Sequence, residues 1–294
     1  MTEKIYLKNP YITEINARII EKKYNNNKFH LKLDRTIFYP NLAGGQPRDK
    51  GTINGIEVID TYEENNDIIH IINENIDNSK VQLSIDWDTR LDHMQQHTGQ
   101  HLLSSVFYKL YSAETVGFHI GEDCVYIDIT LPKLEREDIK RVEIVANKII
   151  YSNFSINTYI VQKNDLTKIP LREKPIVDSN IRIVEIDEID YSPCCGTHHR
   201  NTGEIGMIKI RKWEKYKGNT RVEFVCGNRA LKNYSQINSQ INDISDLLST
   251  KDTDVYEKIE KLYTQKEELE KENIALKKEL LKYRCEKLIN KEEF

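Results

Sequence analysis

Short runs of alternating apolar and polar side chains fill residues 1–85. Phe29-His30-Leu31-Lys32-Leu33 has the period-two pattern of a half-buried strand. Thr52-Ile53-Asn54-Gly55-Ile56-Glu57-Val58 reads as two strands about an Asn-Gly turn. Ile68-Ile69-His70-Ile71-Ile72 and Val81-Gln82-Leu83-Ser84-Ile85 continue the series. Several short strands with turn signals between them predict a small β-barrel or sandwich domain over 1–85. The pattern then becomes mixed. Residues 93–110 read as a helix with Leu102, Leu103, Val106 and Phe107 on its apolar face. Residues 135–152 read as a second helix, with Ile139, Val142, Val145, Ala146 and Ile149 at helical spacing. Residues 125–129, 181–186, 205–210 and 221–225 read as strands, so 86–228 is predicted to be an α+β domain.

From residue 229 onward the pattern is purely helical. The last proline is Pro193 and the last glycine is Gly227. Ser249-Thr250-Lys251-Asp252-Thr253-Asp254 interrupts the run and offers an N-cap. Beyond it Val255, Leu262, Leu269, Leu276 and Tyr283 recur every seven residues, with Ile259, Lys266, Asn273 and Leu280 as a half-polar companion seam. A helix of ~35 residues at 1.5 Å per residue is ~50 Å long. Two readings fit the extension at 229–294: an antiparallel helical hairpin, or a coiled coil that joins two copies as a homodimer.

Composition sharpens this picture in three ways. The chain of 294 residues carries 43 Lys plus Arg against 47 Asp plus Glu, so a net charge of -4 excludes a polycation. Nucleic-acid binding would need a local basic patch. No run approaches the roughly 18 apolar residues of a membrane span, and MTEKIYLKNP has no apolar signal core, so no membrane contact is expected. The five cysteines are odd in number and two are adjacent, which argues against a disulfide framework and for a reduced, cytoplasmic setting with metal-binding or reactive thiols.

Candidate chemistry concentrates in two motifs. His97-Thr98-Gly99-Gln100-His101 puts two imidazoles on one helix face. Cys194-Cys195-Gly196-Thr197-His198 adds a thiolate and a third imidazole. One thiolate with three imidazoles fills a tetrahedral site and favours zinc over magnesium or calcium. Spacing alone leaves the register open, because His93 with His97 and Cys195 with His199 have the same separation. Gly44-Gly45-Gln46-Pro47 lacks the spacing of a phosphate loop and reads as a tight turn, or as backbone that approaches a ligand closely. Lys209, Arg211, Lys212, Lys215, Lys217 and Arg221, interleaved with Trp213 and Tyr216, form a basic and aromatic strip. Such a strip suits phosphates and unpaired bases, and equally a solvated β-hairpin.

Four motifs stand in order along the chain. Asp34-Arg35-Thr36-Ile37-Phe38-Tyr39-Pro40 precedes Gly44-Gly45-Gln46-Pro47-Arg48-Asp49-Lys50-Gly51. Then come Arg90-Leu91-Asp92-His93-Met94-Gln95-Gln96-His97-Thr98-Gly99-Gln100-His101 and Cys194-Cys195-Gly196-Thr197-His198-His199-Arg200-Asn201-Thr202-Gly203-Glu204. In residues and order, roughly 1–230 resembles the AlaX family of freestanding editing proteins, relatives of the editing domain of alanyl-tRNA synthetase. The resemblance implies that His97, His101, Cys194 and His198 bind one zinc ion, with Cys195 in place of a family glycine. It implies a zinc-containing editing domain over 86–228, a hydrolase of carboxylic esters. The substrate implied is alanine tRNA mischarged with serine, and often glycine.

Thr36, in the family's threonine strand, is expected to sense the serine hydroxyl, and Gly44, Gly45 and Gln46 to line the same pocket. With His97 and His101, Thr36 and Gln46 are the candidate catalytic residues, and the basic strip is the candidate tRNA contact. Four protein ligands close a zinc site, which favours a metal that positions substrate over one that activates water. Longer members of the family continue into a glycine-rich C-terminal module, so this chain is read as a long form without it. Two other classes compete: a non-catalytic RNA-binding module with a structural zinc, and a zinc esterase acting on small aminoacyl compounds. A complete synthetase is not expected, since too little chain is left for an ATP-binding domain.

Overall fold

The structure is a computed structural model that describes residues 1–41, 45–122, 124–175, 177 and 179–289. The chain divides into two compact units, Met1–Leu231 and Lys232–Phe294.

The first unit opens with β1 (Glu3–Lys4), the single turn α1 (Ile5–Lys8), β2 (Glu14–Asn25), β3 (Lys28–Leu33), β4 (Arg35–Thr36), β5 (Gly51–Ile53), β6 (Ile56–Glu64), β7 (Asp67–Ile72) and β8 (Lys80–Ile85). Six of these close into a barrel in the order β2-β3-β7-β6-β5-β8. Closure depends on the length of β2, whose first part pairs with β8 and whose second part pairs with β3. Three hairpins turn on two residues of positive φ: Asn26-Asn27, Asn54-Gly55 and Asn65-Asn66. These are the mirror-image turns that match strand twist, and asparagine and glycine tolerate them best. Leu31, Leu33, Ile53, Val58, Ile72 and Leu83 fill the interior and are at most 1% exposed.

One polar pair is sealed into this apolar interior. Thr36 Oγ1 lies 2.8 Å from His70 Nε2, and His70 Nδ1 lies 3.3 Å from the Leu31 carbonyl. Burial lowers the His70 pKa to about 4, so the ring is neutral at pH 7. The carbonyl can only accept, so Nδ1 donates to it and Nε2 accepts from the Thr36 hydroxyl.

The barrel is followed by α2 (Trp87–Tyr111), β9 (Thr115–Ile120), β10 (Val125–Ile129), α3 (Arg136–Tyr151), β11 (Ile156–Val161), β12 (Ile181–Ile186), β13 (Asp190–Pro193), β14 (Ile208–Tyr216) and β15 (Asn219–Cys226). They form a four-stranded sheet, β14-β15-β10-β9, and a three-stranded sheet, β11-β12-β13. Leu102, Leu103, Val106 and Phe107 of α2 pack with α3 and the sheets in a second apolar core. Asp86 caps α2 by accepting from Thr89 N at 2.7 Å, so the helix starts before residue 93. α3 lies where the apolar spacing places it, with Glu135 and Asp138 forming a capping box. The strand predicted at 205–210 begins only at Ile208, because Thr202–Ile205 is a tight helical turn and Gly206 reverses the chain at φ 82°. Besides the short β1, α1 and β4, the elements β2, β9, β11 and β13 have no counterpart in the apolar pattern; in β2 only Ala17 is buried.

α2 is joined to the barrel by a buried ion pair. Arg90 and Asp49 are both 0% exposed. Arg90 Nε donates to Asp49 Oδ1 at 2.9 Å, and Nη2 meets Asp49 Oδ2. Nη1 donates to the Pro10 carbonyl and Nη2 also donates to the Ile37 carbonyl, each at 2.7 Å. Asp49 Oδ2 also accepts from Tyr39 N at 2.6 Å, which closes the loop 39–49 at its base.

α4 (Gly227–Leu247) runs from the first unit into the second, and α5 (Val255–Ile289) has the 35 residues its heptads predict. Ile259, Leu262, Leu269, Leu276 and Leu280 are 42–63% exposed, so no described segment of the second unit covers this seam. No described helix is long and apolar enough to cross a membrane.

Candidate metal centre and its cavity

Helix α2 and the segment after β13 bring together His97, His101, Cys194 and His198, whose ligand atoms all lie within 4.8 Å of one another. Ring centroids are 5.3 Å apart for His97 and His101, 4.7 Å for His97 and His198, and 4.8 Å for His101 and His198. Cys194 Sγ lies 3.4 Å from His97 Nε2. His93 is buried outside this group, Cys195 is exposed, and His199 faces Tyr11 and Glu204.

Two of the three imidazoles have a hydrogen-bond partner at Nδ1, and the third, His101, faces a carboxylate without a hydrogen bond. His97 Nδ1 donates to Gln46 Oε1 at 3.0 Å. That oxygen is fixed by Thr197 N, which donates to it at 3.0 Å, while Gln46 Nε2 donates to Thr197 Oγ1 at 2.9 Å. His198 Nδ1 lies 3.1 Å from the Gly196 carbonyl, and its buried Nε2 has no hydrogen-bond partner. His101 Nδ1 faces Asp190 Oδ2 at 3.5 Å. Asp190 is in turn held by Arg172 Nε at 2.6 Å and by Ser192 Oγ at 2.8 Å. Nδ1 turned outward and Nε2 turned inward is the arrangement of metal-bound histidines. The donor set, one sulfur and three imidazoles with an orphaned Nε2, fits a divalent zinc-type ion.

The electrostatics favour a thiolate and a neutral His198, whereas Cys194 and Asp190 outweigh burial at His101 and raise it to about 9, a proton that a bound ion would displace. Burial opposes ionisation of Cys194, yet the rings of His97, His198 and His101 outweigh it and hold the thiol well below its usual range. Burial lowers His198 to about 3, so that imidazole is neutral and free to ligate. Burial likewise opposes ionisation of Asp190, but His101 and Arg172 prevail and lower it to about 2. Asp190→Asn keeps the shape and removes the charge that faces His101. Metal affinity is expected to fall roughly 10- to 100-fold, read by competition with a chelator. Unchanged affinity would remove Asp190 from the metal's support.

A cavity of about 550 Å³ opens beside the cluster. His97, His101 and Cys194 line it from one side, Val116 and Phe118 of β9 from another, and Arg172, Lys174 and Arg182 bring positive charge. Phe118 stacks 5.4 Å from the His97 ring, and a Cβ on Gly45 would fall 2.9 Å from Phe118. Gly45, at φ 78°, and Gln46 thus reach the cluster from the barrel side. Gly44 lies outside the described residues. Thr36 does not line the cavity, since its hydroxyl is engaged by His70 inside the barrel.

The basic strip maps to the β14–β15 hairpin, where carboxylates face most of its cations. Lys209 pairs with Glu143 at 2.8 Å, Lys212 with Glu214 at 2.7 Å, Arg211 with Glu223 at 3.5 Å and Arg221 with Asp128 at 2.8 Å. Lys215 and Lys217 have no carboxylate within ion-pair distance among the described residues. Trp213 donates to the Leu134 carbonyl at 3.0 Å, and the Tyr216 ring is covered by the Arg221 guanidinium at 3.8 Å.

Asp190, Arg172, Arg182 and Phe118 have no place in any motif read from the sequence. Their relation to the cluster comes from pairing between strands: Arg182 lies in β12, which pairs with β13, and Cys194 N donates to the Arg182 carbonyl at 3.1 Å.

A barrel joined to a sheet-and-helix layer thus carries a cluster of three histidines and one cysteine. Residues 181–223 match the family model described as "Threonyl and Alanyl tRNA synthetase second additional domain". The chain is 36% identical to the alanyl-tRNA editing protein AlaX-L of Pyrococcus horikoshii, over 98% of this chain and 74% of that protein. It therefore belongs to the alanyl-tRNA editing protein family. It is 31% identical to the alanyl-tRNA editing protein Aarsd1-B of Xenopus laevis, over 88% of this chain but 64% of that protein. It also matches an alanine–tRNA ligase of Ignicoccus hospitalis at 30% identity, over 95% of this chain and 32% of the ligase.

Proposed function

We propose that the chain is a trans-editing hydrolase that cleaves the ester joining serine, or glycine, to the 3′ adenosine of mischarged alanine tRNA. The observation that carries this reading is the convergence of His97, His101, Cys194 and His198 at the wall of a cavity large enough for an aminoacyl nucleotide. On this reading the four residues hold one zinc ion per chain, which when bound supplies fixed positive charge for the ester's oxygens. Gln46 and Thr197 keep the His97 ring in place across the gap between barrel and sheet layer. Val116 and Phe118 supply an apolar wall that limits water around the ester.

A four-residue donor set also fits a structural zinc, which keeps the RNA-binding module as the second reading. The zinc-loaded protein should be incubated with alanine tRNA charged with serine, glycine or alanine. Selective release of serine is the expected result. Binding without release would establish the RNA-binding module, and hydrolysis of free aminoacyl esters with no tRNA preference would establish a general esterase. Thr36→Val belongs in the same assay. A serine-sensing Thr36 must exchange His70 for substrate, so its loss should lower serine release and leave glycine release intact. Release of both unchanged from the unaltered protein would confine Thr36 to the barrel interior.

A further inference from the structure

Among the described residues, Arg182 is a cation with no carboxylate partner at the cavity wall. Its Nη1 donates to the Cys194 carbonyl at 2.8 Å and to the Gly196 carbonyl at 3.1 Å. Nε and Nη2 have no hydrogen-bond partner, and no carboxylate lies within ion-pair distance among the described residues. Arg172, also at the wall, is committed to Asp190, Ser192 and Glu173. Lys174 stands nearby, exposed. The described wall therefore holds three cations against the carboxylate of Glu173, which Arg172 already engages, and the Cys194 thiolate, which belongs to the metal-ligand cluster. A partly buried guanidinium with donors to spare favours a planar or tetrahedral oxyanion, and phosphate suits its fork.

Resting on the editing reading, we infer that Arg182 holds the phosphate of the 3′-terminal adenosine, the anionic group nearest the ester, and so positions the aminoacyl nucleotide against the cluster. The fixed Nη1 makes this more than a surface contact. Two bonds to backbone carbonyls lock the guanidinium to the same 194–196 segment that carries the metal-ligand candidate Cys194. Phosphate and ester would thus be held by one rigid piece of chain.

The test compares ligands with and without the phosphate. Calorimetric titration of the zinc-loaded protein should show AMP binding at least tenfold more tightly than adenosine. Arg182→Gln should abolish that difference, and Arg182→Lys should retain part of it. Equal binding of AMP and adenosine by the unaltered protein would overturn the assignment. In steady-state hydrolysis, Arg182→Gln should lower kcat/KM on seryl-tRNA roughly 10- to 100-fold, mainly through KM. The loss on seryl-adenosine, which lacks the phosphate, should be at least tenfold smaller. Equal losses on the two substrates, or loss of zinc from both variants, would reduce Arg182 to a brace for the 194–196 segment. If the unaltered protein released no serine, the editing reading would fall. The AMP–adenosine comparison needs no hydrolysis and would still judge Arg182.

Discussion

His97→Ala is expected to lose metal and deacylation together. His97 sits at the centre of the cluster, with the His101 and His198 rings within 5.3 Å, Cys194 Sγ 3.4 Å from its Nε2, and Gln46 behind it. Altering a residue that merely supports a ligand costs about 10- to 100-fold in metal affinity, so removing a ligand should exceed about 100-fold. Zinc content after chelator challenge and serine release should be measured on one preparation. A metal-free His97→Ala protein with full activity would refute the metal's role.

The second large effect concerns stability. Arg90→Met would leave the Asp49 carboxylate fully buried and without its cation. Breaking such a pair from one side costs about 3–5 kcal/mol, far more than an exposed ion pair is worth. Urea unfolding should register the loss, and Arg90→Met combined with Asp49→Leu should recover part of it. A loss below about 1 kcal/mol would mean that water reaches the pair. The consequence extends to the site. Asp49 closes the loop that presents Gly45 and Gln46, so a weakened pair should also loosen Gln46 from His97.

Strand and helix positions with one buried face were legible in the sequence. The runs at Leu31–Leu33, Ile53, Ile72 and Leu83 alternate because one side of each strand fills the barrel. The face of α3 was equally plain. The long strand β2 was not, because it is exposed at most positions and earns its place by pairing at both ends. Helix α2 was only partly legible. Its buried surface is largely polar, with Gln96, His97, Thr98, Gln100, His101 and Ser104 all at most 5% exposed. Spacing alone could not choose between His93 and His101, since both lie one helical turn from His97. Three dimensions choose, by what lies opposite: Cys194 and His198 converge with His97 and His101. The basic strip shows the opposite failure. Its charges were evident, but the carboxylates that face them come from α3, β10 and the strip's own hairpin.

Gly196 sets which substitutions the Cys-Cys-Gly-Thr-His segment can tolerate, position by position. A Cβ there would fall 2.1 Å from His97 Cε1 and 3.2 Å from Gln46 Oε1. Even alanine would displace the imidazole. Cys195, one residue earlier, is exposed. The two adjacent positions therefore drift under different rules. The first holds an exposed side chain without meeting the cluster; the second is closed to every residue but glycine for as long as His97 keeps its place.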